Sequence, residues 1–155
     1  MTTINVRTRT LHLVDIENLL GGPLVEADEV ERVIDRYLAL ASWQPGDIVN
    51  IAANPGLAVK FAWNLPVECS VHTARGADGA DIALLAHAAP EFVERRAGRL
   101  VIGSGDHAFI PRALAARERG VGVLVIGRSR SLCSGWRAHG FPIVAIDEAP
   151  AALAA

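Results

Sequence analysis

The sequence predicts an α/β fold: a three-layer α/β/α sandwich around a mostly parallel sheet of five or six strands. Two observations carry this. Short apolar runs alternate with amphipathic stretches from one end of the chain to the other, and that β-α-β-α order builds parallel sheets covered by helices. The runs themselves are nearly continuous in Leu, Val and Ile, as strands buried on both faces are. The 155 residues fit a single domain, which usually spans ~100–200 residues. The expected core covers about 10–147.

The elements follow in order. Leu11–Asp15 is nearly all apolar and reads as a doubly buried strand. Gly21-Gly22-Pro23 is a loop. Glu26–Ala41 reads as a helix, with Val30, Val33, Ile34, Tyr37 and Leu38 at helical spacing and acids gathered in the first turn. Pro45-Gly46 is a turn, and Asp47–Ala53 a second strand. Asn54-Pro55-Gly56 opens a short helix through Trp63, since proline suits a first turn. Pro66 precedes a third strand, Val67–Thr73. Gly76–Gly79 is a loop in which Asp78 is placed to cap the next helix.

That helix is expected from about Ala80 to Arg96, with Pro90 either kinking it or restarting it. Arg99–Gly103 is the fourth strand. Phe109–Arg119 is a helix stopped by Gly120. Val121–Gly127 is the fifth strand. Arg128–Ser134 is a polar loop, followed by a short helix near Gly135–His139 and an edge strand over Phe141–Ile146. The alanine-rich tail, Ala149–Ala155, carries no pattern that decides between order and disorder.

Composition narrows the function. Hydrophobic residues make up 51% and charged residues 21%, which excludes a disordered chain. A net charge of −2 is not that of a general nucleic-acid binder, whose domain pI exceeds ~9. The charge is uneven, however. Residues 1–90 carry eleven acids against six bases, and 91–155 carry six acids against nine. That asymmetry allows a basic wall beside an acidic site, although solvated helix faces explain Arg95, Arg96, Arg99, Arg117 and Arg119 equally well. Cys69 and Cys133 form no C-x-x-C pair, so neither a disulfide framework nor a zinc knuckle is expected; both read as small buried hydrophobes. The first residues, Met1–Arg9, lack the apolar region of a secretory signal. No apolar run approaches the ~20 residues of a membrane span. A cytoplasmic protein is the default expectation, and composition selects no homodimer or protein-partner surface.

Three carboxylates stand out. Asp15 ends the first strand, Asp81 opens the helix after the third, and Asp106 follows the fourth. In a parallel sheet the carboxyl ends of the strands share one edge, where ligands bind. Acids converging there repel one another unless a cation or proton compensates. A divalent metal site is therefore expected, with hard carboxylate oxygens suited to Mg²⁺ or Mn²⁺. Asn18, one turn after Asp15, can orient a water or a phosphate. Ser104-Gly105-Asp106 is the most specific local piece: Ser104 can hydrogen-bond a ligand, and glycine allows unusual backbone angles and close approach. Each acid also has a plainer use, since acids cap helices and offset macrodipoles. Capping is the preferred reading for Asp78, is evenly balanced for Asp81, and is set second for Asp15. Glu17 has the weaker case. His107 could move a proton, though a lone loop histidine is more often structural. Arg128 and Arg130, after the fifth strand, are placed to fork onto phosphate oxygens, with Arg112 a further candidate. Trp136 could stack on a base, but core packing is the preferred reading.

The order Val14-Asp15-Ile16-Glu17-Asn18, Gly79-Ala80-Asp81-Ile82-Ala83-Leu84, Ser104-Gly105-Asp106-x-x-Phe109-x-Pro111 and Arg119-Gly120-x-x-Val123 resembles the NYN domain family of PIN-like ribonucleases. The resemblance covers about Leu11 to Asp147. It implies a PIN-like sandwich, divalent metal in an acidic pocket and cleavage of RNA. By position, Asp15, Asp81 and Asp106 match the family's acids and Asn18 its polar partner. The chain departs from the family twice. Ala108 stands where a further acid is usual, and Asp78 where the family often carries lysine, adding a possible metal ligand.

The expected activity is thus a metal-dependent endoribonuclease. A second class, a weakly active or inactive module that binds RNA or a protein partner, is favoured by Ala108 and the modest charge. A phosphoacceptor or phosphohydrolase domain, with Asp15 as nucleophile, ranks low, because no lysine occurs late in the chain. No G-x-G-x-x-G follows the first strand, which argues against dinucleotide binding.

Overall fold

The six apolar runs become six strands of one sheet. The computed structural model describes residues 9–21 and 25–148. Its strands are β1 (Thr10–Asp15), β2 (Ile48–Ala53), β3 (Ser70–Thr73), β4 (Arg99–Gly103), β5 (Gly122–Gly127) and β6 (Ile143–Ala145). They lie in the order β3-β2-β1-β4-β5-β6, and every pairing is parallel. The α/β expectation holds. The chain builds outward from β1 to β3, then returns to add β4 on the other side of β1. The strand order therefore reverses between β1 and β4, and such a switch point opens a crevice at the carboxyl ends of the two strands.

Two helical layers cover the sheet. On one face α1 (Ile16–Leu20), α2 (Ala27–Leu40) and α3 (Pro55–Phe61) bury Ile16, Leu19, Val30, Ile34, Tyr37, Leu57 and Phe61 against Val14, Val49, Ile51, Val101 and Ile126. On the other, α4 (Gly79–Leu85), α5 (Pro90–Arg96), α6 (Ile110–Glu118) and α7 (Ser134–Ala138) bury Leu84, Val93, Ala113 and Trp136 against Leu11, Leu13, Leu100, Ile102 and Val125. Neighbouring strand residues face opposite layers, so a strand covered twice is mostly apolar. That explains why all six residues of β1 are buried.

Several boundaries differ from the expectation. Asp15 leads straight into α1, which Gly21 ends with a left-handed φ of 80°; the sequence reading placed no helix there. Of the two alternatives expected at Pro90, the restart is the one that occurs: the stretch from Ala80 to Arg96 forms two helices, α4 and α5. Proline has no N–H to donate, and Pro90 takes the first position of α5. Strand β3 is shorter than expected, starting at Ser70, although Val67 and Cys69 already pack against the same core as Val71. Phe109 belongs to a 3₁₀ turn ahead of α6. Cys69 and Cys133 are free and only half-buried. Part of the Gly21–Pro23 loop and the tail 149–155 lie outside the described residues. Among those residues no helix is long and apolar enough to cross a membrane.

At the amino end of the sheet, β1 carries a polar residue among its apolar ones. His12 is fully buried. Its Nδ1 lies 3.0 Å from the Tyr37 hydroxyl and its Nε2 3.1 Å from Asp47 Oδ2. Asp47 also accepts from the backbone N–H groups of Thr10 and Gln44, each at 2.9 Å. Burial lowers the His12 pKa, against the pull of Asp47. This network ties α2 to the start of β1 and the turn before β2. Removing one partner strands a buried imidazole nitrogen, so Tyr37→Phe is expected to lower unfolding free energy by about 1–3 kcal/mol. Urea denaturation measures this; an unchanged midpoint would refute the role given to the hydroxyl.

Candidate functional site

The switch-point crevice is acidic. Asp15 is the last residue of β1 and the N-cap of α1: its Oδ1 accepts from the Asn18 N–H at 3.2 Å. Asp106 follows β4 and caps the 3₁₀ turn, its Oδ1 accepting from the Ala108 N–H at 2.8 Å. Asp81 lies in the first turn of α4 and is buried. The three line one pocket of about 320 Å³, together with Glu17, Asn18 and Asn54. Asp15 is therefore both a helix cap and a pocket wall, so capping, set second for it, also holds. The caps use Oδ1 of Asp15 and Asp106 and leave Oδ2 of each outside those bonds.

The charges act on one another. Burial pushes the Asp15 carboxyl up to about 6; the Asn18 N–H opposes this, and the charges of Asp81, Glu17 and Asp106 add to it. Burial likewise raises Asp81 to about 6, reinforced by Asp106 and Asp78 and opposed by His107. Two carboxyls thus titrate near neutrality, as groups in functional clefts often do. Every acidic donor is a hard oxygen, the chemistry Mg²⁺ and Mn²⁺ prefer. Among the described residues, however, no three His, Cys, Asp or Glu side chains are gathered closely enough to hold a metal ion as they stand. The donor set fits an ion that keeps several waters and touches only one or two carboxylates, which is how Mg²⁺ commonly binds.

Two turns carry Asp15 and Asp106, and one residue joins them. The Gly105 N–H donates to Asn18 Oδ1 at 3.0 Å. The Gly105 carbonyl accepts from Trp136 Nε1 and from the Cys133 N–H, each at 3.0 Å. A Cβ on Gly105 would meet the Ser131 carbonyl oxygen at 2.3 Å. Neither Gly103 nor Gly105 has a positive φ. The glycine is required by close approach of the chain itself, not by unusual backbone angles.

Other expected residues fall elsewhere. Ser104 is fully buried, and its Oγ accepts from the Asp106 N–H at 3.2 Å; it shapes the turn and does not face a ligand. Arg128 does not line the pocket. Its Nη1 donates to the Leu20 carbonyl at 3.2 Å, closing the end of α1. Arg130 is exposed and also lies outside the lining. Asp78 is exposed, makes no capping bond and does not line the pocket, contrary to its expected cap. His107 is exposed beside Asp106, 3.2 Å from its Oδ1. Arg112 is engaged with the Ala88 carbonyl at 2.8 Å. Trp136 is core, as preferred.

The sequence reading missed Asn54 as a pocket residue and undervalued Glu17. Glu17 Oε1 accepts from the Asn54 N–H at 2.9 Å and from its side-chain amide. Asn54 Oδ1 in turn caps α3 by accepting from the Leu57 N–H at 2.9 Å. The signal was available: Asn-Pro after a strand marks a helix start on the same sheet edge.

Compared with protein-family models, curated proteins and solved structures, the chain matches none.

The raised carboxyls set a pH test. Their folded pKa of about 6 lies above the ordinary 3.8, so ionisation opposes folding above about pH 6, and that penalty fades as pH falls toward 3.8. Asp81→Asn is expected to melt above the wild type at pH 7.5, with the gap closing near pH 4. Thermal denaturation followed by circular dichroism at both pH values decides it; a variant less stable at pH 7.5 would contradict the assignment.

Proposed function

We propose that this protein is a metal-dependent endoribonuclease of the NYN, PIN-like kind, hydrolysing RNA phosphodiester bonds at the acidic pocket. The observation that carries the reading is the convergence of Asp15, Asp81 and Asp106 on one crevice at the β1–β4 switch point. The order of the surrounding motifs supports it. Asp15, Asp81 and Asp106 would hold Mg²⁺ or Mn²⁺, in part through water. A bound ion would lower the pKa of its water and offset charge on the phosphate in the transition state.

The chain's own residues have separable tasks in this reading. Asn18 fixes the turn bearing Asp15 to the turn bearing Asp106. Glu17 and Asn54 brace the wall formed by the start of α3. Arg130, exposed and one residue from the Ser131 carbonyl that packs on Gly105, would meet a substrate phosphate. Arg128 is committed to the Leu20 carbonyl and contributes by holding that loop.

The second reading is a weakly active or inactive module that binds RNA or a protein partner. It is favoured by Ala108, where the family usually has an acid, and by the spacing of the three carboxylates.

Incubation of purified protein with labelled single-stranded RNA and Mn²⁺ separates the two. Cleavage that Asp81→Asn and Asp106→Asn both abolish is expected. Binding without cleavage favours the module, and neither binding nor cleavage sinks the nuclease and the RNA-binding module, leaving only a protein-binding one. Mn²⁺ should also raise the melting temperature of the wild type at pH 7.5 and leave Asp81→Asn nearly unmoved. Equal shifts in the two proteins would place the ion elsewhere.

A further inference from the structure

We infer that the stacked imidazoles of His72 and His87 form a pH-operated clasp on the wall of the acidic crevice, closed while no more than one ring is charged and open when both are. The inference concerns the wall itself and holds whether or not the crevice cleaves RNA.

The pair closes a loop of the chain. His72 lies in β3 in register with Ala52, which belongs to the core beneath α4, so both side chains are on the face that α4 covers. The chain then passes through the 74–78 connection into α4 and returns beside β3. His87 follows the last turn of α4, its N–H bonded to the Leu84 carbonyl at 3.0 Å. The ring centroids of His72 and His87 are 4.1 Å apart, with planes 26° from parallel. Ala74, Gly76, Ala77, Ala80 and Asp81 all fall between the two histidines in the chain, and all line the crevice. The stack therefore joins the two ends of a segment that supplies half of the crevice lining. A helix of seven residues, as α4 is, keeps its shape through such contacts and not on its own.

The surroundings make this joint sensitive to protons. His72 is half-buried, and its Nε2 lies 2.9 Å from Oδ1 of the buried Asn50. An amide oxygen only accepts, so Nε2 carries the hydrogen of the neutral ring and a second proton must enter at Nδ1. His87 is exposed. A proton on one ring leaves a cation against a neutral neighbour. Protons on both place two cations face to face at 4.1 Å, partly shielded from the water that would screen them. The neighbouring elements carry Asp78 and Asp81 at the start of α4, Glu91 and Glu94 on α5, Arg112 on α6 and Arg75 after β3. No carboxylate among them offsets the repulsion: burial lowers the His72 pKa, the charge of His87 lowers it further, and no acid raises it. Arg112 adds to the positive side, since its bond to the Ala88 carbonyl at 2.8 Å brings it within one residue of His87. His12 is the contrasting case, because Asp47 faces its ring.

The sign of the response follows. His72 in the closed stack holds a proton less well than an ordinary histidine, whose pKa is 6.5. Opening the stack restores the ordinary affinity, so the open form binds more protons. Closure is favoured fully above pH 6.5, and that preference is lost as pH falls from 6.5 through the lowered value. Acid thus frees the end of α4 from β3 and loosens the segment that carries Asp81.

Hydrogen–deuterium exchange followed by NMR, at pH 7.5 and at about pH 5, spans the range in which histidine changes charge and tests this. An Asp81→Asn background keeps proton uptake by that carboxyl from moving α4 itself. Protection factors of the α4 amides, taken relative to those of α2, are expected to fall about tenfold between the two pH values, the ratio given by a one-unit difference in proton affinity. His87→Phe keeps a ring on His72 and removes the second charge. With it the fall is expected to vanish, and the His72 ring signals to titrate at higher pH than in the parent. His87→Gln has neither ring nor charge, and is expected to lower α4 protection at pH 7.5 and to abolish its pH dependence. Equal α4 protection at both pH values in the parent overturns the inference. So does an undiminished fall in either His87 variant, or a His72 titration that is the same with and without His87.

Discussion

The architecture of the acidic crevice depends on the main-chain bonds of one residue. Gly105 is bonded on its N–H side by Asn18 of α1 and on its carbonyl side by the Trp136 indole and the Cys133 N–H. These partners come from the segments after β1 and β5, and Gly105 itself follows β4. Three neighbouring strands therefore have their carboxyl-end turns locked to one another. Because Asp15 and Asp106 sit in two of those turns as caps, the distance between them is set by backbone geometry and not by attraction. That matters, since left to themselves the carboxylates would separate.

The opposite end of the sheet is closed by a different chemistry. The His12, Tyr37 and Asp47 network is buried and polar, and it joins β1 to α2 and to the turn before β2. With both ends of β1 fixed, the central strand is held in register beneath both layers. The same strand that ends in Asp15 begins beside His12, so the placement of the acid inherits the rigidity of the sheet. The free energy that gathers like charges in the crevice comes from this packing. Burial within that packing, with the neighbouring charges adding to it, raises the pKa of Asp15 and Asp81. A fold that holds ionised groups against their mutual repulsion has a standing preference for a proton or a cation there.

Much of this was legible in the residues. Nearly continuous apolar runs marked the strands, because a strand covered on both faces admits few polar side chains, and those only with partners. Helical spacing gave α2 almost residue for residue. The acids that end up together could be named because a parallel sheet delivers every strand's carboxyl end to one edge. Capping residues gave the start of α3. Less legible were elements whose extent depends on neighbours: the short α1, and a β3 that pairs only from Ser70.

What the sequence determined by itself was the layering, the edge on which Asp15, Asp81 and Asp106 emerge, and the hard-oxygen character of the donors. These follow from periodicity and topology, which are local patterns repeated along the chain. Tertiary structure alone decided how each polar side chain is used. Ser104 and Arg128 were spent on the fold, Glu17 and Asn54 joined the pocket wall, and Asn18 bridged two turns. A hydrogen bond between residues 18 and 105 leaves no pattern in sequence, because its partners are chosen by distance in space, and that distance exists only once the sheet has formed.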